Sequence, residues 1–169
     1  MAQRLFALDN NFPEPIVTVL QDYLVEAELV PVRLIDERLQ TVDDWELLLA
    51  LHHHERPWDG LVTTDSSMLE QAREMSVLCQ TKLTLVAAMA AGHDPVMATG
   101  LLFTHLPNVC ERTRPDVAQL WPLRPANRPH TDPWERLTAI GARDDREATD
   151  IYDENKLDGT GLARDPLAE

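Results

Sequence analysis

Trp58-Asp59-Gly60-Leu61-Val62-Thr63-Thr64-Asp65-Ser66-Ser67-Met68 is the stretch that decides how the rest of the chain is read. Leu61 to Thr64 is a short apolar, β-branched run opened by a glycine, the pattern of a buried strand. It stops at Asp65, just before an amphipathic segment. One carboxylate is thereby expected at the carboxyl edge of a strand, where open α/β sheets keep their ligand crevice. Ser67 and Glu70 stand in capping-box order, so the serine could cap the next helix and leave Asp65 free. The competing reading makes Asp65 itself the cap, and both stand at this stage.

Working outward, Leu5 to Leu8 is a second buried run that ends in Asp9, Asn10 and Asn11. Pro13 and Pro15 suit the first turn of a helix, in which Ile16, Val19, Leu20, Tyr23 and Leu24 recur at helical spacing. Leu29 to Ile35 alternates as a strand and ends at Asp36 and Glu37. Thr41 to Glu46 opens a helix through Leu47, Leu48, Leu51 and His54. The acids Asp43, Asp44 and Glu46 in its first turn complement the helix dipole, which explains each of them without any catalytic role. His52, His53 and His54 suit the helix end for the same reason, and consecutive residues point in different directions.

Met68 to Gln80 reads as one helix with Leu69, Ala72, Met75 and Cys79 on a face. Leu83 to Ala90 reads as a strand closed by Gly92, and Asp94-Pro95 as the cap and first residue of a helix reaching toward Cys110. Val117 to Leu123 is the last strand. Five strands alternating with helices predict an α/β sandwich of three layers around a mostly parallel sheet. Right-handed crossovers then put the strand-to-helix loops on one edge. Asp9 and Asp65 share that edge, with Asp44 at a helix start beside it.

Residues 1–124 are expected to form this domain, and residues 125–169 a C-terminal extension. Pro122, Pro125, Pro129 and Pro133, with Arg124, Arg128 and His130, read as a semi-rigid linker. Asp132 to Ile140 reads as a short docking helix, and the polar, acidic residues from about Gly141 onward as a mobile tail.

The chain carries 15 Lys and Arg against 29 Asp and Glu, a net charge of −14. That excludes a large phosphate-tracking surface of the counterion-release kind. No run is long enough for a membrane span, and the apolar start is too short for a secretory signal, so a cytoplasmic protein without membrane contact is expected. Cys79 and Cys110 lack metal-ligand spacing and read as small hydrophobes. Carboxylates at a strand edge, without comparably placed His, Cys or Lys, suit a hard cation such as Mg²⁺ or Mn²⁺.

Leu8-Asp9-Asn10-Asn11-Phe12-Pro13 resembles the opening LDENLP pattern of the PIN-like proteins that sit beside the PIN-domain ribonucleases. Asp44-Trp45-Glu46-Leu47-Leu48 resembles their DEEIL helix start, and Leu61 to Met68 their LVTTDKDF strand end. The three match in order and spacing over roughly residues 4–122. The resemblance implies a PIN-like sandwich whose acidic pocket binds Mg²⁺ or Mn²⁺ and hydrolyses single-stranded RNA with a metal-activated water. By carry-over Asp9, Asp44 and Asp65 are the catalytic metal ligands, Asp43 a close substitute for Asp44, and Asn11, Thr64 and Ser67 the hydrogen-bonding groups behind them.

The sequence departs from that pattern in having Ser67 where a second acid is usual and Met68 where an aromatic is. Between the first two motifs, Asp36 and Glu37 are the acids on offer for a further ligand, and Arg38 or Lys82 the cation on offer for phosphate. A neutralising protein, as in toxin–antitoxin pairs, or a second copy of the chain is the partner class left open. The alternative function is a catalytically inactive PIN-like interaction module. A phosphorylated receiver domain shares the architecture, but Asn10 and Asn11 stand where its acid pair would be.

Overall fold

Apolar runs with no room for a polar face become central strands, and five of them form one parallel sheet in a computed structural model that describes residues 3–89, 91, 94–125 and 132–168. They are β1 (Arg4–Leu8), β2 (Ala27–Pro31), β3 (Gly60–Thr63), β4 (Thr84–Ala88) and β5 (Gln119–Leu123), in the order β2-β1-β3-β4-β5. Alternate residues feed two cores. Leu5, Ala7, Leu61, Leu85, Ala87 and Leu120 face one side; Phe6, Leu8, Val62, Val86, Ala88 and Trp121 face the other. Helix α1 (Glu14–Leu20) and helix α5 (Pro95–Arg112) cover the second side, and α3 (Asp44–His53) and α4 (Ala72–Thr81) the first. The chain is a three-layer α/β sandwich, as the strand and helix patterns predict. Among the described residues no helix is long and apolar enough to cross a membrane.

The local signals act where they stand. Asp94 accepts from the backbone N–H groups of Val96 and Met97, both at 3.0 Å, and Pro95 opens α5 without wasting a donor. At the start of α3 the Glu46 carboxylate accepts from the Asp43 backbone N–H at 3.2 Å. Two spans differ from the sequence reading. The strand expected over Leu29 to Ile35 ends at Pro31, and Val32–Ile35 forms a one-turn helix, α2. The helix expected from Met68 is instead a 3₁₀ turn, Ser66–Glu70, followed by α4 from Ala72.

The crossovers are not uniform in hand. From β2 rightward to β3 and β4 the connecting helices α3 and α4 lie on one face, and β1 to β2 runs the other way with α1 on the opposite face; all three have the same hand. Helix α5 connects β4 to β5 in the same sense as α4 connects β3 to β4, yet lies beside α1. The β4–β5 crossover therefore has the opposite hand to the other three, against the general rule. As a result the start of α5 lies over the carboxyl ends of β1 and β3.

The short docking helix expected over Asp132 to Ile140 is present as α6 (Pro133–Gly141), whereas residues 141–168 depart most from expectation. Rather than a tail, they carry α7 (Ala148–Asn155), which packs on α4 together with α6, and α8 (Gly159–Ala163), whose Leu162 carbonyl lies 2.7 Å from His53 Nε2 at the end of α3. Leu137 is fully buried, with Ala148 and Ile151 beside it in the first core. Arg136 donates to the Leu69 carbonyl at 3.0 Å, and Arg136 and Arg143 both pair with Glu70. The Gln80 amide donates to the Leu157 carbonyl and accepts from its N–H, each at 3.1 Å. Sparse apolar residues in an acidic segment misled the composition argument, because the few present fall on one helical face. Leu137→Ala should cost about 2–4 kcal/mol in urea unfolding; a mobile tail would give no change in midpoint. Gly92, Arg128, Pro129 and His130, read as a strand closure and a linker, lie outside the described residues.

Candidate active site

The strand order reverses direction between β1 and β3: the chain leaves β1 toward β2 on one side and returns to β3 on the other. At such a switch point the loops after the two strands diverge and leave a crevice. Asp9 and Asp65 flank it. The Asp9 backbone N–H still bonds to the Val62 carbonyl at 2.9 Å, so its side chain is set by the sheet rather than by a loose loop. The Thr63 hydroxyl donates to Asp9 Oδ2 at 2.7 Å and accepts from the Asp65 backbone N–H at 2.9 Å. One threonine thus ties the two acidic residues together.

Asp9 is 7% exposed. Burial pushes its carboxyl above the usual range and the charge of Asp65 adds to that, while hydrogen bonds from Thr63, Asn10 and Asn11 act the other way. The Asn10 backbone N–H donates to Asp9 Oδ1 at 2.7 Å; Asn11 Nδ2 is 3.5 Å from Oδ2, a weak contact. Asp65 Oδ1 accepts from the Ser67 backbone N–H at 2.8 Å. The reading with Asp65 as cap is therefore the one the structure adopts, and the serine hydroxyl caps nothing. One cap bond leaves the carboxylate with acceptor sites to spare. The threonine that bonds to Asp9 is Thr63; the Thr64 hydroxyl donates to the Asn11 carbonyl at 2.8 Å, pinning the two loops together.

Two hollows adjoin this edge. The first, about 440 Å³, is lined by Asn11, Phe12, Thr64, Asp65 and Ser66 from the strand loops and by Asp94 and Pro95 from the start of α5. The second, about 660 Å³, includes Asp43, Asp44, Trp45, Arg73, Glu74 and Asn155 in its wall. Asp44 lines the second hollow, not the first, yet it feels the charges of Asp9 and Asp65. Its pKa is raised to about 6, by burial first and then by Asp9, Asp65, Glu74 and Asp43. The acids from three separate segments therefore converge electrostatically, with Asp65 in the wall of the first hollow, Asp44 in that of the second, and the buried Asp9 in neither wall.

Several site groups escaped the sequence. Glu74 is 5% exposed, its Oε2 has no hydrogen-bond partner, and burial raises its pKa. Asn155 comes from α7. Arg73 lies 5.4 Å from the Trp45 ring centre and is the basic side chain beside Asp44. The two cations suggested for phosphate are elsewhere. Arg38 pairs with Asp36 at 2.7 Å and donates to the Leu167 carbonyl, and Lys82 follows α4 at the opposite edge of the sheet. Asp36 serves that pair and caps its own turn, and it is in the wall of neither hollow.

Among the described residues, no three His, Cys, Asp or Glu side chains form a ready-made cage for a metal ion. Mg²⁺ does not require one, since it usually keeps several waters and takes one or two carboxylates directly. Asp65 has its Oδ2 to spare, and Asp9, whose two oxygens already accept hydrogen bonds, keeps lone-pair capacity beside it; the pair tied by one hydroxyl fits that demand, and like charges crowded at a buried edge favour a cation.

The raised Asp44 carboxyl makes a prediction about stability. A carboxyl whose pKa is higher in the folded state stabilises below its unfolded value, here 3.8, and loses that contribution as pH rises through about 6. Asp44→Asn should therefore stabilise the chain at pH 7.5, by about 1 kcal/mol after solvent screening of a half-exposed group, and change little at pH 4. Thermal unfolding at the two pH values checks it; equal shifts would contradict it.

No protein-family model, curated protein or solved structure matches the chain.

Proposed function

We propose that the chain is a Mg²⁺- or Mn²⁺-dependent endoribonuclease of PIN-like type, hydrolysing phosphodiester bonds in single-stranded RNA. The observation that carries the reading is the Asp9–Thr63–Asp65 bridge at the switch point, with Asp44 close enough to feel the charges of both acids. A divalent cation, when bound, would lower the pKa of a water and offset charge on the phosphate. Asp9 and Asp65 would hold it. Asp44, with a pKa of about 6, is suited to accept the proton of the attacking water near neutral pH. Arg73 supplies positive charge to phosphate from the neighbouring hollow, in place of Arg38 or Lys82. The RNA substrate is what the resemblance of the three motifs adds to this chemistry.

A chain of net charge −14 repels a polyanion and salt screens that repulsion, so cleavage should depend strongly on the divalent ion and should not require low ionic strength. The test is an end-labelled single strand and its duplex form, incubated with Mn²⁺ or Mg²⁺ and with EDTA. Cleavage of the single strand, stopped by EDTA, is the expected result. No cleavage, or cleavage indifferent to EDTA, would leave the interaction-module reading.

A further inference from the structure

The stripe Ile16, Val19, Leu20 and Tyr23 has the spacing of a core-facing helix edge, yet in this segment Val17 and Leu24 are the residues that reach the core. Val19 and Tyr23 are 75% and 77% exposed. On α5, Val96, Gly100 and Phe103 repeat at the same spacing, and Val96 is 72% exposed. Ile16, Leu20, Val96, Thr99, Gly100 and Phe103 line an apolar groove of about 230 Å³ between the two helices. A Cβ at Gly100 would meet nothing within 4 Å, so the groove is open at that point. Two apolar rows left in water at helical spacing form the usual receptor for a third helix.

The charges on the two helices are mostly acidic. From Glu14 to Glu26 the chain has Glu14, Asp22 and Glu26 and no Lys or Arg; from Asp94 to the end of α5 it has Asp94 and Glu111 against Arg112, which lies at the far end from the groove. The basic side chain that bonds to α1, Arg33, is already paired with Glu14. We propose that this groove docks an amphipathic helix of a basic partner protein, with apolar side chains at i, i+3, i+4 and i+7 in the seam and Lys or Arg along its flanks. A second copy of the chain is the poorer occupant, because an isologous contact would set these acids face to face. The groove uses neither Asp9, Asp44 nor Asp65, so it stands or falls apart from the nuclease reading.

The probe is a labelled peptide of about 18 residues, with Leu at i, i+3, i+4 and i+7 and Lys elsewhere, read by anisotropy in 0.15 M salt. A permuted peptide of identical composition separates groove binding from attraction between opposite charges. Wild type should bind the patterned peptide at least about tenfold more tightly than the permuted one. Gly100→Leu, which fills the opening, and Val96→Lys, at an exposed position that folding does not need, should each remove that preference. Equal binding of the two peptides, or a preference that survives both variants, would overturn the proposal. So would sedimentation showing a wild-type dimer that Val96→Lys dissociates.

Discussion

Replacing Asp9 and Asp65 together by Asn should lower divalent-dependent cleavage of single-stranded RNA by at least about 100-fold, since loss of groups merely behind a metal's ligands already costs 10–100-fold. Both positions must change, because either carboxylate alone could retain a weakly held ion. Asn keeps the size of Asp and one acceptor oxygen, so the Ser67 N–H can still be capped at position 65, while at position 9 Thr63 can still donate and the Asn10 N–H loses its acceptor. Burial and the charge of Asp65 both disfavour an ionised Asp9, which offsets that loss, so the double variant should stay folded at neutral pH, its unfolding temperature showing that unfolding is not the cause. Asp116→Asn is the internal control: this exposed residue lies in the turn before β5, at the amino end of the sheet, and cleavage should stay within about threefold of wild type, the scatter of a surface change. Cleavage that survives in the double variant would locate the activity elsewhere.

The largest effect on stability is expected at Gly60. This residue pairs with Thr84 in the β3–β4 ladder, and a Cβ there would lie 1.8 Å from the Thr84 carbonyl oxygen and 3.0 Å from its Cα. The obstacle is backbone on a neighbouring strand, which cannot rotate away as a side chain would. Gly60→Ala should therefore cost at least about 3 kcal/mol, the range reached when a core is overpacked. The same substitution at Gly100, in the interior of α5 with open space around it, should stabilise by about 0.5–1 kcal/mol through helix propensity. Urea midpoints moving in opposite directions would support the close approach; two similar midpoints would contradict it.

The strands were legible because burial on both faces leaves an almost unbroken apolar run, as in Leu5 to Leu8 and Leu61 to Val62, and the helix starts because Asp94-Pro95 and Asp132-Pro133 punctuate them. Alternation failed where a turn interrupted it. Val30, Val32 and Leu34 continue the period past Pro31, but the chain turns into α2 there. The opposite hand of the β4–β5 crossover could not be read at all, since local patterning carries no hand and the general rule pointed the other way. That misplacement hid the role of Asp94 and Pro95 in the wall of the first hollow.

At the site, the carboxylates were visible because they end apolar runs. Thr63 was not, because a threonine at a strand end reads as β propensity. Glu74 and Asn155 were hidden for a different reason: each sits in an ordinary helical pattern, and only the packing of α4 against α3 and of α7 against α4 brings them beside Asp44. The stripe on α1 shows the converse error, an amphipathic pattern that faces water rather than the core.

The most direct test of a shared cation is a Mn²⁺ titration followed by EPR, on wild type and on the chain carrying both Asp9→Asn and Asp65→Asn. One saturable site in wild type that vanishes in the variant is the predicted result. Saturable binding that persists unchanged in the variant, or none in wild type, would contradict it.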